Sequence, residues 1–271
     1  MGPFIAYTVA FLFLPAGAVL VAALTDDAGR FTLSHLSSAG APENLLALKN
    51  SLRLSAVTAL VGVLVGSLLA YGAVGPGAPR WLRAPITAFS GVAANFAGVP
   101  LALAFVATLG TTGMLTRVLA SLGVGLYASG FSLFSFTGLV VVYSYFQIPL
   151  MVIVVTPALD GLRVEWREAA ENLGASAWDY WRYIGLPVLT PSLLAAGLLL
   201  FGNAFAAYAT PYALTSGLLA LLPLQIGAAL AGNVSSDPRL GQVLSLLVIA
   251  VMTLVTLLYA LLERLGSRWR S

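Results

Sequence analysis

The sequence predicts an all-α, polytopic membrane protein with six transmembrane helices, and three observations support this class. Of the 271 residues, 59% are hydrophobic and only 8% are charged, whereas a soluble protein carries about 25% charged residues. The mean hydropathy is +0.95. The apolar residues also fall into segments of about 20, the length that an α-helix needs to cross a bilayer. We interpret residues 1–271 as a single transmembrane domain.

Six apolar segments are long enough to span a membrane. They run near Pro3–Leu24, Leu52–Val74, Ala84–Leu109, Phe131–Leu159, Pro191–Leu214 and Gln242–Leu262. The first has no basic segment before it and is longer than the apolar core of a typical signal peptide, so we expect it to be retained as a span. The apolar segment Leu218–Ala231 is interrupted by Pro223, Gln225 and Gly227. It is too short to span, and we expect it at the outer interface or as a re-entrant segment.

The distribution of arginine and lysine predicts that both termini are cytoplasmic. With the N-terminus inside, the inner segments hold eight basic residues: Arg80, Arg83, Arg163, Arg167, Arg182, Arg264, Arg268 and Arg270. The outer segments hold five: Arg30, Lys49, Arg53, Arg117 and Arg239. Cytoplasmic loops carry the excess of basic residues. The loop at about 160–190 is then the longest cytoplasmic one, and the segments at about 25–48, 110–130 and 215–240 face outside.

Composition disfavours several classes of function. Cysteine is absent, which excludes disulfides, thiolate nucleophiles and cysteine metal sites. The single histidine, His35, lies in a polar segment, and we interpret it as a solvated loop residue and expect no metal site. One histidine also makes a Ser/His/Asp catalytic set improbable, so an enzyme is disfavoured. The net charge of +3 is spread thinly near the ends of the spans and does not indicate binding to nucleic acid.

A polar, alanine-rich segment separates the fourth and fifth spans. Three glutamates are spaced at i, i+3 and i+6 and therefore share one broad face of a helix: Glu165, Glu168 and Glu171. Ala169 and Ala170 between them are good helix formers with little bulk. Gly174 is the type of residue that follows the end of a helix with a positive φ. The pattern predicts a short helix that ends before Gly174.

A second short helix is predicted directly after this turn. The segment 176–179, Ser-Ala-Trp-Asp, is close to a capping box, with a serine N-cap and an acid at N3. We expect the helix to run from Ala177 to about Ile184 and to be closed by Pro187. Four amphipathic aromatics suit the bilayer surface: Trp178, Tyr180, Trp181 and Tyr183. The two helices predict a helix–turn–helix under the membrane whose small, acidic tip suits a groove on another protein, and the alternative is an ordinary amphipathic loop.

This segment, EAAENLGASAWDYWRYIGLP at residues 168–187, resembles the "EAA loop" of binding-protein-dependent ABC importer permeases. Glu-Ala-Ala, the glycine, the isoleucine and Leu-Pro all occur at the spacing of that family, which also has six spans with this loop between the fourth and the fifth. The resemblance implies a coupling element that docks into a nucleotide-binding subunit and transmits its ATP-driven closure to the pore. It implies docking residues Glu168, Ala169, Ala170 and Gly174, and anchoring residues Ile184, Leu186 and Pro187.

The ATPase itself is expected on another chain. A Walker A loop requires the pattern GxxxxGK[ST], and the only lysine, Lys49, has no glycine near it. ATP and Mg²⁺ should therefore bind a partner, and we expect no cofactor on this chain. The resemblance implies two ATP-binding subunits, a second permease subunit and an external solute-binding protein, in a prokaryotic plasma (inner) membrane. An ABC exporter subunit and a passive channel or carrier stay open as alternatives. Exporters usually lack this loop, and a channel does not need a docking helix.

Polar residues within the spans are candidates for the translocation path. They are Asn95, Ser144, Tyr145, Gln147, Asn203, Tyr208 and Thr210. Polar groups at membrane depth usually face a cavity or a partner helix, and interhelical hydrogen bonding is the alternative interpretation. Ser144 and Gln147 share a helix face, and so do Asn203 and Thr210. No charged residue lies in the middle of a span, so we expect the external binding protein to determine selectivity.

Two short segments suggest a branch of the family. Residues 94–100 and 202–211 resemble importers of polyamines, thiamine, ferric iron and aminophosphonates. The resemblance implies a small cationic or zwitterionic solute, such as a polyamine, and a second permease subunit that is not identical to this chain. Sugars and metal oxyanions remain open as substrates.

Overall fold

The computed structural model describes residues 2–25, 30–32, 39–75, 78–231 and 238–267. Over these ranges the chain is helical, apart from loops and an isolated bridge between Thr25 and Phe31, so the all-α prediction is confirmed. The α-helices are α1 (Gly2–Thr8), α2 (Leu14–Ala23), α3 (Pro42–Val74), α4 (Arg80–Asn95), α5 (Gly98–Leu109), α6 (Met114–Ser121), α7 (Phe136–Asp160), α8 (Val164–Asn172), α9 (Ala177–Tyr180), α10 (Leu186–Ala206), α11 (Ala209–Thr215), α12 (Leu222–Leu230) and α13 (Pro238–Ser267). Val9–Phe13 and Trp181–Gly185 are π-helical. His35 lies outside the described residues.

Six helical segments within the described ranges are long and apolar enough to cross a membrane. They are Phe4–Ala23, Pro42–Val74, Gly98–Ser121, Phe136–Asp160, Ala177–Ala206 and Leu240–Leu262. The number of spans predicted from the sequence is therefore confirmed. Their direction across the membrane, with both termini inside, stays a prediction.

The third span differs from the predicted continuous helix at 84–109. The helix breaks between α4 and α5, where Ala97 has an extended backbone and Gly98 has a φ of +74°. Pro100 explains the break, because it has no amide N–H to bond the carbonyl of Phe96 in a continuous helix. The span begins at Gly98 instead and continues as far as Ser121.

The fifth span, predicted at Pro191–Leu214, begins and ends earlier, at Ala177–Ala206. The prediction that Pro187 closes a helix is wrong. The helical run continues from α9 through the π-helical turn into α10, where Pro187 is the second residue. In the π turn the amide N–H of Leu186 bonds the carbonyl of Trp181, five residues back. Pro187 directly follows this π turn, where the hydrogen bonds are already displaced from the α-helical pattern. The run ends at Ala206, and a new helix, α11, follows.

The chain divides into two compact units, Met1–Leu52 with Gly217–Thr253, and Arg53–Ser216 with Leu254–Ser271. In the first unit, the beginning of α12 is attached to α3. The backbone N–H of Leu222 donates to Ser51 Oγ over 2.8 Å, and Asn50 Nδ2 donates to the carbonyl of Ala220 over 3.0 Å. These bonds orient the short helix α12, which the sequence predicts to be too short to span.

In the second unit, α4 and α10 pack on α7, and α5 packs on α11. The core beneath them is formed by Ala59, Ala70, Met151, Val152, Val155, Ala196 and Leu200. Helix α3 approaches this core closely at two glycines. A Cβ atom on Gly62 would lie 2.5 Å from Leu200 Cδ2, and one on Gly66 would lie 2.5 Å from Met151 Cβ. Small residues at such positions let the backbones of membrane helices come together.

Candidate docking surface and polar residues of the spans

The first helix of the loop between the fourth and fifth spans, α8, ends as the sequence predicts. Gly174 has a φ of +80°, a conformation that glycine adopts without steric cost. The N–H of Ala175 bonds the carbonyl of Ala170 over 3.0 Å, and the N–H of Gly174 bonds that of Glu171 over 2.9 Å. This pair of bonds is the Schellman motif, which satisfies carbonyls at the end of a helix. It turns the chain sharply from α8 toward α9.

The capping box at the start of α9 is also confirmed. Ser176 Oγ accepts from the backbone N–H of Asp179, and the carboxylate of Asp179 accepts from the backbone N–H of Ser176 over 3.0 Å. The hydroxyl of Ser176 donates to the same carboxylate oxygen. The turn between α8 and α9 is therefore closed on both sides by local hydrogen bonds, and the two helices form a rigid pair.

The acidic face of α8 is exposed, and one of its three glutamates forms an ion pair. Glu171 accepts from Arg167 Nε over 2.8 Å, and this contact raises the pKa of Arg167. Glu165 and Glu168 are exposed, as is Ala169, whereas Ala170 is buried. The predicted docking residues thus have two environments. Glu168, Ala169 and Gly174 reach the surface, and Ala170 faces the interior of the helix pair.

A shallow apolar groove of about 480 Å³ lies on one side of the helix pair. It is lined by Trp166, Ala169, Ala170, Leu173, Ala175, Asp179, Tyr180, Tyr183, Ile184 and Val188. Leu173 at its rim is 88% exposed, and Tyr183 is 68% exposed. The groove thus combines residues of the loop, such as Leu173, with residues at the beginning of the fifth span, such as Tyr183.

A second, more polar pocket of about 500 Å³ lies on another side of the helix pair. It is lined by Tyr71, Val74, Gly75, Leu159, Asp160, Leu162, Arg163, Val164, Arg167, Glu168, Glu171, Ser176, Ala177, Tyr180 and Trp181. Helix α8 therefore separates the two concave surfaces. Asp160 at the end of α7 also pairs with Arg83 of α4 over 2.5 Å, which links these two helices beside the pocket.

The predicted anchoring residues lie at the junction with α10. Ile184 is half-buried, and Leu186 and Pro187 are exposed. The buried residue of this junction is Gly185, on which a Cβ atom would lie 2.7 Å from Trp181 Cε3. Sequence reasoning missed Gly185 as a packing residue. The signal was present, because a glycine inside a helical pattern often marks close packing.

Two of the polar candidates within the spans make hydrogen bonds between helices. Gln147 is fully buried, and its Nε2 donates to the carbonyl of Leu200 over 2.8 Å. Thr210 Oγ1, also buried, accepts from the N–H of Gly98 over 2.8 Å. This second bond holds the beginning of α5 against α11, where the third span breaks. Both contacts follow the alternative interpretation of these residues, interhelical hydrogen bonding.

The other candidates bond within their own helix or contact aromatic rings. Asn95 Nδ2 donates to the carbonyl of Gly91 and Ser144 Oγ to that of Val140. The ring of Tyr145 meets those of Phe96 and Phe105 edge to face. Asn203 and Tyr208 are exposed, and Tyr208 stacks on Tyr212 with the ring centroids 5.3 Å apart. Asn95 is also exposed, and the role of these residues in the path stays a prediction.

Similarity to known proteins extends over most of the chain. Residues 62–271 match the family model described as "Binding-protein-dependent transport system inner membrane component". The sulfate transport system permease protein CysT of Escherichia coli (strain K12) is 38% identical over 68 residues, 25% of this chain and 24% of that protein. The molybdenum transport system permease protein ModB of Azotobacter vinelandii is 24% identical over 167 residues, 59% of this chain and 68% of that protein. The chain spans about a quarter of the length of the E. coli CysT protein.

Solved structures share the fold. A bacterial ABC transporter involved in import of the acidic polysaccharide alginate superposes with a TM-score of 0.71 at 18% identity, covering 98% of this chain and 93% of that chain. The MetNI methionine ABC transporter, in inward-facing conformations, gives a TM-score of 0.56 at 19% identity over 84% of this chain and 95% of that chain. The family match and the shared fold agree with the helical loop and the six spans. The chain belongs to the family of binding-protein-dependent transport system inner membrane components.

Proposed function

We propose that this chain is a transmembrane permease subunit of an ATP-driven ABC importer, with the helix pair α8–α9 as the surface that docks a separate ATPase subunit. One observation carries the proposal. A helix pair, closed by the Schellman motif and the capping box, presents Ala169 and Leu173 in an apolar groove on one side and Glu168 in a polar pocket on the other. A preformed convex tip with an apolar flank suits insertion into a groove on a partner.

The energy source is assigned to a partner because this chain has no residues suited to hold ATP. The sequence has no GxxxxGK[ST] pattern, which is the loop that cradles phosphates in P-loop ATPases. The membership in an inner membrane component family supports the same division of labour. Two ATP-binding subunits and one external solute-binding protein complete the proposed transporter. One of the alginate importer structures contains a periplasmic protein bound to an alginate pentasaccharide, which supports this arrangement by analogy.

Reversal of charge at the tip tests the docking surface. We expect Glu168→Arg to abolish co-purification of the ATPase subunit and ATP-driven uptake, because the new cation would face the partner's groove at the centre of the contact. Glu43→Arg is the matched control, since Glu43 is also exposed. Glu43 lies in the first turn of α3, whereas the last turn of α3 lies beside α8. An intact complex with normal uptake in Glu168→Arg would refute the docking assignment.

Transport measured in proteoliposomes separates the importer from its two rivals. A passive channel or carrier would transport solute in proteoliposomes that contain this chain and its membrane partners but no ATPase. An exporter subunit would move solute in the opposite direction, from the side on which ATP is hydrolysed. Uptake that requires both ATP and the external binding protein is the result expected for the importer.

The pore is proposed to need a second permease subunit, and the resemblance to one branch of the family favours a partner that is not identical. Mass measurement of the purified complex tests this composition. A particle with two copies of this chain and no other permease would establish a homodimer instead.

The proposed mechanism is alternating access by rigid-body motion. When ATP brings the two ATPase subunits together, α8 and α9 move with the groove that holds them, and the fourth and fifth spans follow. The pore then opens toward the external binding protein, and hydrolysis resets it. ATP drives the cycle because it binds one of the two conformations more tightly than the other.

The proposed orientation places the helix pair in the cytoplasm of a prokaryotic cell, with the chain crossing the plasma (inner) membrane several times. The natural absence of cysteine makes a clean test available. A thiol reagent that does not cross membranes should label Ser129→Cys in intact spheroplasts and label Asn172→Cys only after lysis. Both positions are exposed, and the reverse pattern would invert the topology.

The solute is proposed to be small and to be selected by the external binding protein. The relatives are named for transport of sulfate, thiamine and molybdenum, and none of these names supports a polyamine. A cationic or zwitterionic solute such as thiamine therefore competes with oxyanions. Uptake assays with radiolabelled thiamine, putrescine, sulfate and molybdate decide between the classes, and uptake of oxyanions alone would exclude the cationic class.

A further inference from the structure

Two aromatic rings join the beginning of the fifth span, directly after the helix pair, to the end of the second span. Tyr71 lies in the last turn of α3, and Trp181 begins the π-helical turn after α9. Their ring centroids are 5.1 Å apart, with an angle of 87° between the planes. This edge-to-face geometry is the favoured one for aromatic pairs. The π turn that directly follows α9 therefore touches the second span.

Each ring is backed by a glycine that leaves no room for a side chain. A Cβ atom on Gly75 would lie 2.8 Å from Tyr71 Cδ2, and one on Gly185 would lie 2.7 Å from Trp181 Cε3. Real Cβ atoms do not approach so closely without a shift of the neighbouring atoms. The two rings thus pack directly against glycine backbones, and a side chain at either glycine would displace a ring.

The contact lies where the helical geometry changes. Trp181 begins the π turn, whose bond from the N–H of Leu186 to the carbonyl of Trp181 skips one residue relative to an α-helix. Such turns often occur at functional sites. Tyr71 and Trp181 also line the polar pocket, together with Glu168 and Glu171 of α8. A displacement of α8 would therefore change the space against which Trp181 packs.

We propose that the Tyr71–Trp181 contact is a positioning link that transmits movement of the helix pair to the second span. The proposal rests on the proposed function. Helix α3 is not adjacent in sequence to α8 or α9. It packs against α7 and α10 through Gly62 and Gly66. The aromatic contact gives it a second connection at the end where the helix pair lies, so that the second span moves together with the fourth and fifth.

The test measures coupling in the complete transporter reconstituted into proteoliposomes, as solute taken up per ATP hydrolysed. We expect Tyr71→Ala and Trp181→Ala to lower this ratio about two- to tenfold, the range expected for loss of one aromatic pair, while the ATPase subunit stays bound. Tyr71→Phe retains the ring and should retain the ratio. Trp81→Ala is the matched control, because Trp81 is 73% exposed and lies near the beginning of another helix.

The double variant and a conservative one complete the design. If one contact is responsible, Tyr71→Ala with Trp181→Ala should lose no more coupling than the worse single variant. Trp181→Phe keeps an aromatic edge and serves if Trp181→Ala does not yield folded complex. An unchanged ratio in the single variants, additive losses in the double variant, or an equal loss in Trp81→Ala would overturn the link. Failure of the unmodified chain to bind any ATPase subunit would instead refute the proposed function.

Discussion

Gln147 of the fourth span donates from Nε2 to the backbone carbonyl of Leu200 in the fifth span, over 2.8 Å. The other side-chain atom, Oε1, is buried without a hydrogen-bond partner within the described residues. The two atoms contribute differently to stability. A buried polar group without a partner is destabilising, whereas a paired one is roughly neutral or slightly stabilising. The side chain therefore connects two spans with little or no net gain in stability.

This relationship predicts different results for two substitutions of similar size. Gln147→Met removes the donor and the unpaired oxygen together, and should change the free energy of unfolding by less than about 1.5 kcal/mol. Gln147→Glu replaces the donor with an oxygen that faces the carbonyl of Leu200, and should cost more than about 2 kcal/mol. Thermal unfolding of the detergent-solubilised protein measures both. Equal losses in the two variants would contradict the hydrogen bond, and lost uptake in Gln147→Met at normal stability would favour a role in the path.

Two glycines of α3 predict opposite effects of the same substitution. Within the described residues, a Cβ atom on Gly66 would lie 2.5 Å from Met151 Cβ, whereas one on Gly72 would meet no atom within 4 Å. Gly66→Ala should therefore destabilise the protein by about 1–3 kcal/mol through overpacking. Gly72→Ala should stabilise it by about 0.4–1 kcal/mol, because alanine loses less conformational freedom in a helix. Thermal unfolding in one detergent compares the pair, and equal shifts would contradict the close packing of α3.

The turn at Gly174 predicts a loss of coupling without a loss of membrane insertion. No neighbouring atom would block a side chain there, and the obstacle is the φ of +80°. Gly174→Val should therefore cost about 1–2 kcal/mol in backbone strain alone, displace α9 from α8 and lower uptake per ATP in proteoliposomes. Gly174→Asn is the graded control, because asparagine adopts this conformation more readily. Normal uptake per ATP in Gly174→Val would show that the turn is not the coupling joint.

The capping box at Ser176 predicts a local effect on α9. Ser176→Ala removes the acceptor for the N–H of Asp179, and protection of the amides in α9 against hydrogen exchange should fall about fivefold. Ser176→Thr keeps an acceptor and should keep most of the protection. The same loss of protection in α7 would indicate general destabilisation instead of a local cap.

The sequence alone predicted the features that depend on neighbouring residues. The six spans followed from the length of apolar runs, because any helix that crosses a bilayer needs about 20 such residues. The turn at Gly174 and the cap at Ser176 followed from residue types, since their hydrogen bonds join residues at most five positions apart. The break before Gly98 was missed although Pro100 signalled it, because the surrounding residues are apolar enough to suggest one continuous span.

Only the tertiary structure decided which residues meet across helices. Gly66 and Gly72 are the same residue type in one helix, yet Met151 packs against the first, and no atom of the described residues would meet a Cβ on the second within 4 Å. Tyr71 carries no motif, and its contact with Trp181 depends on where α3 ends relative to the π turn. Such contacts are set by the arrangement and rotation of packed helices. Local sequence does not encode these quantities, because an apolar span has almost no periodicity to indicate which face is buried.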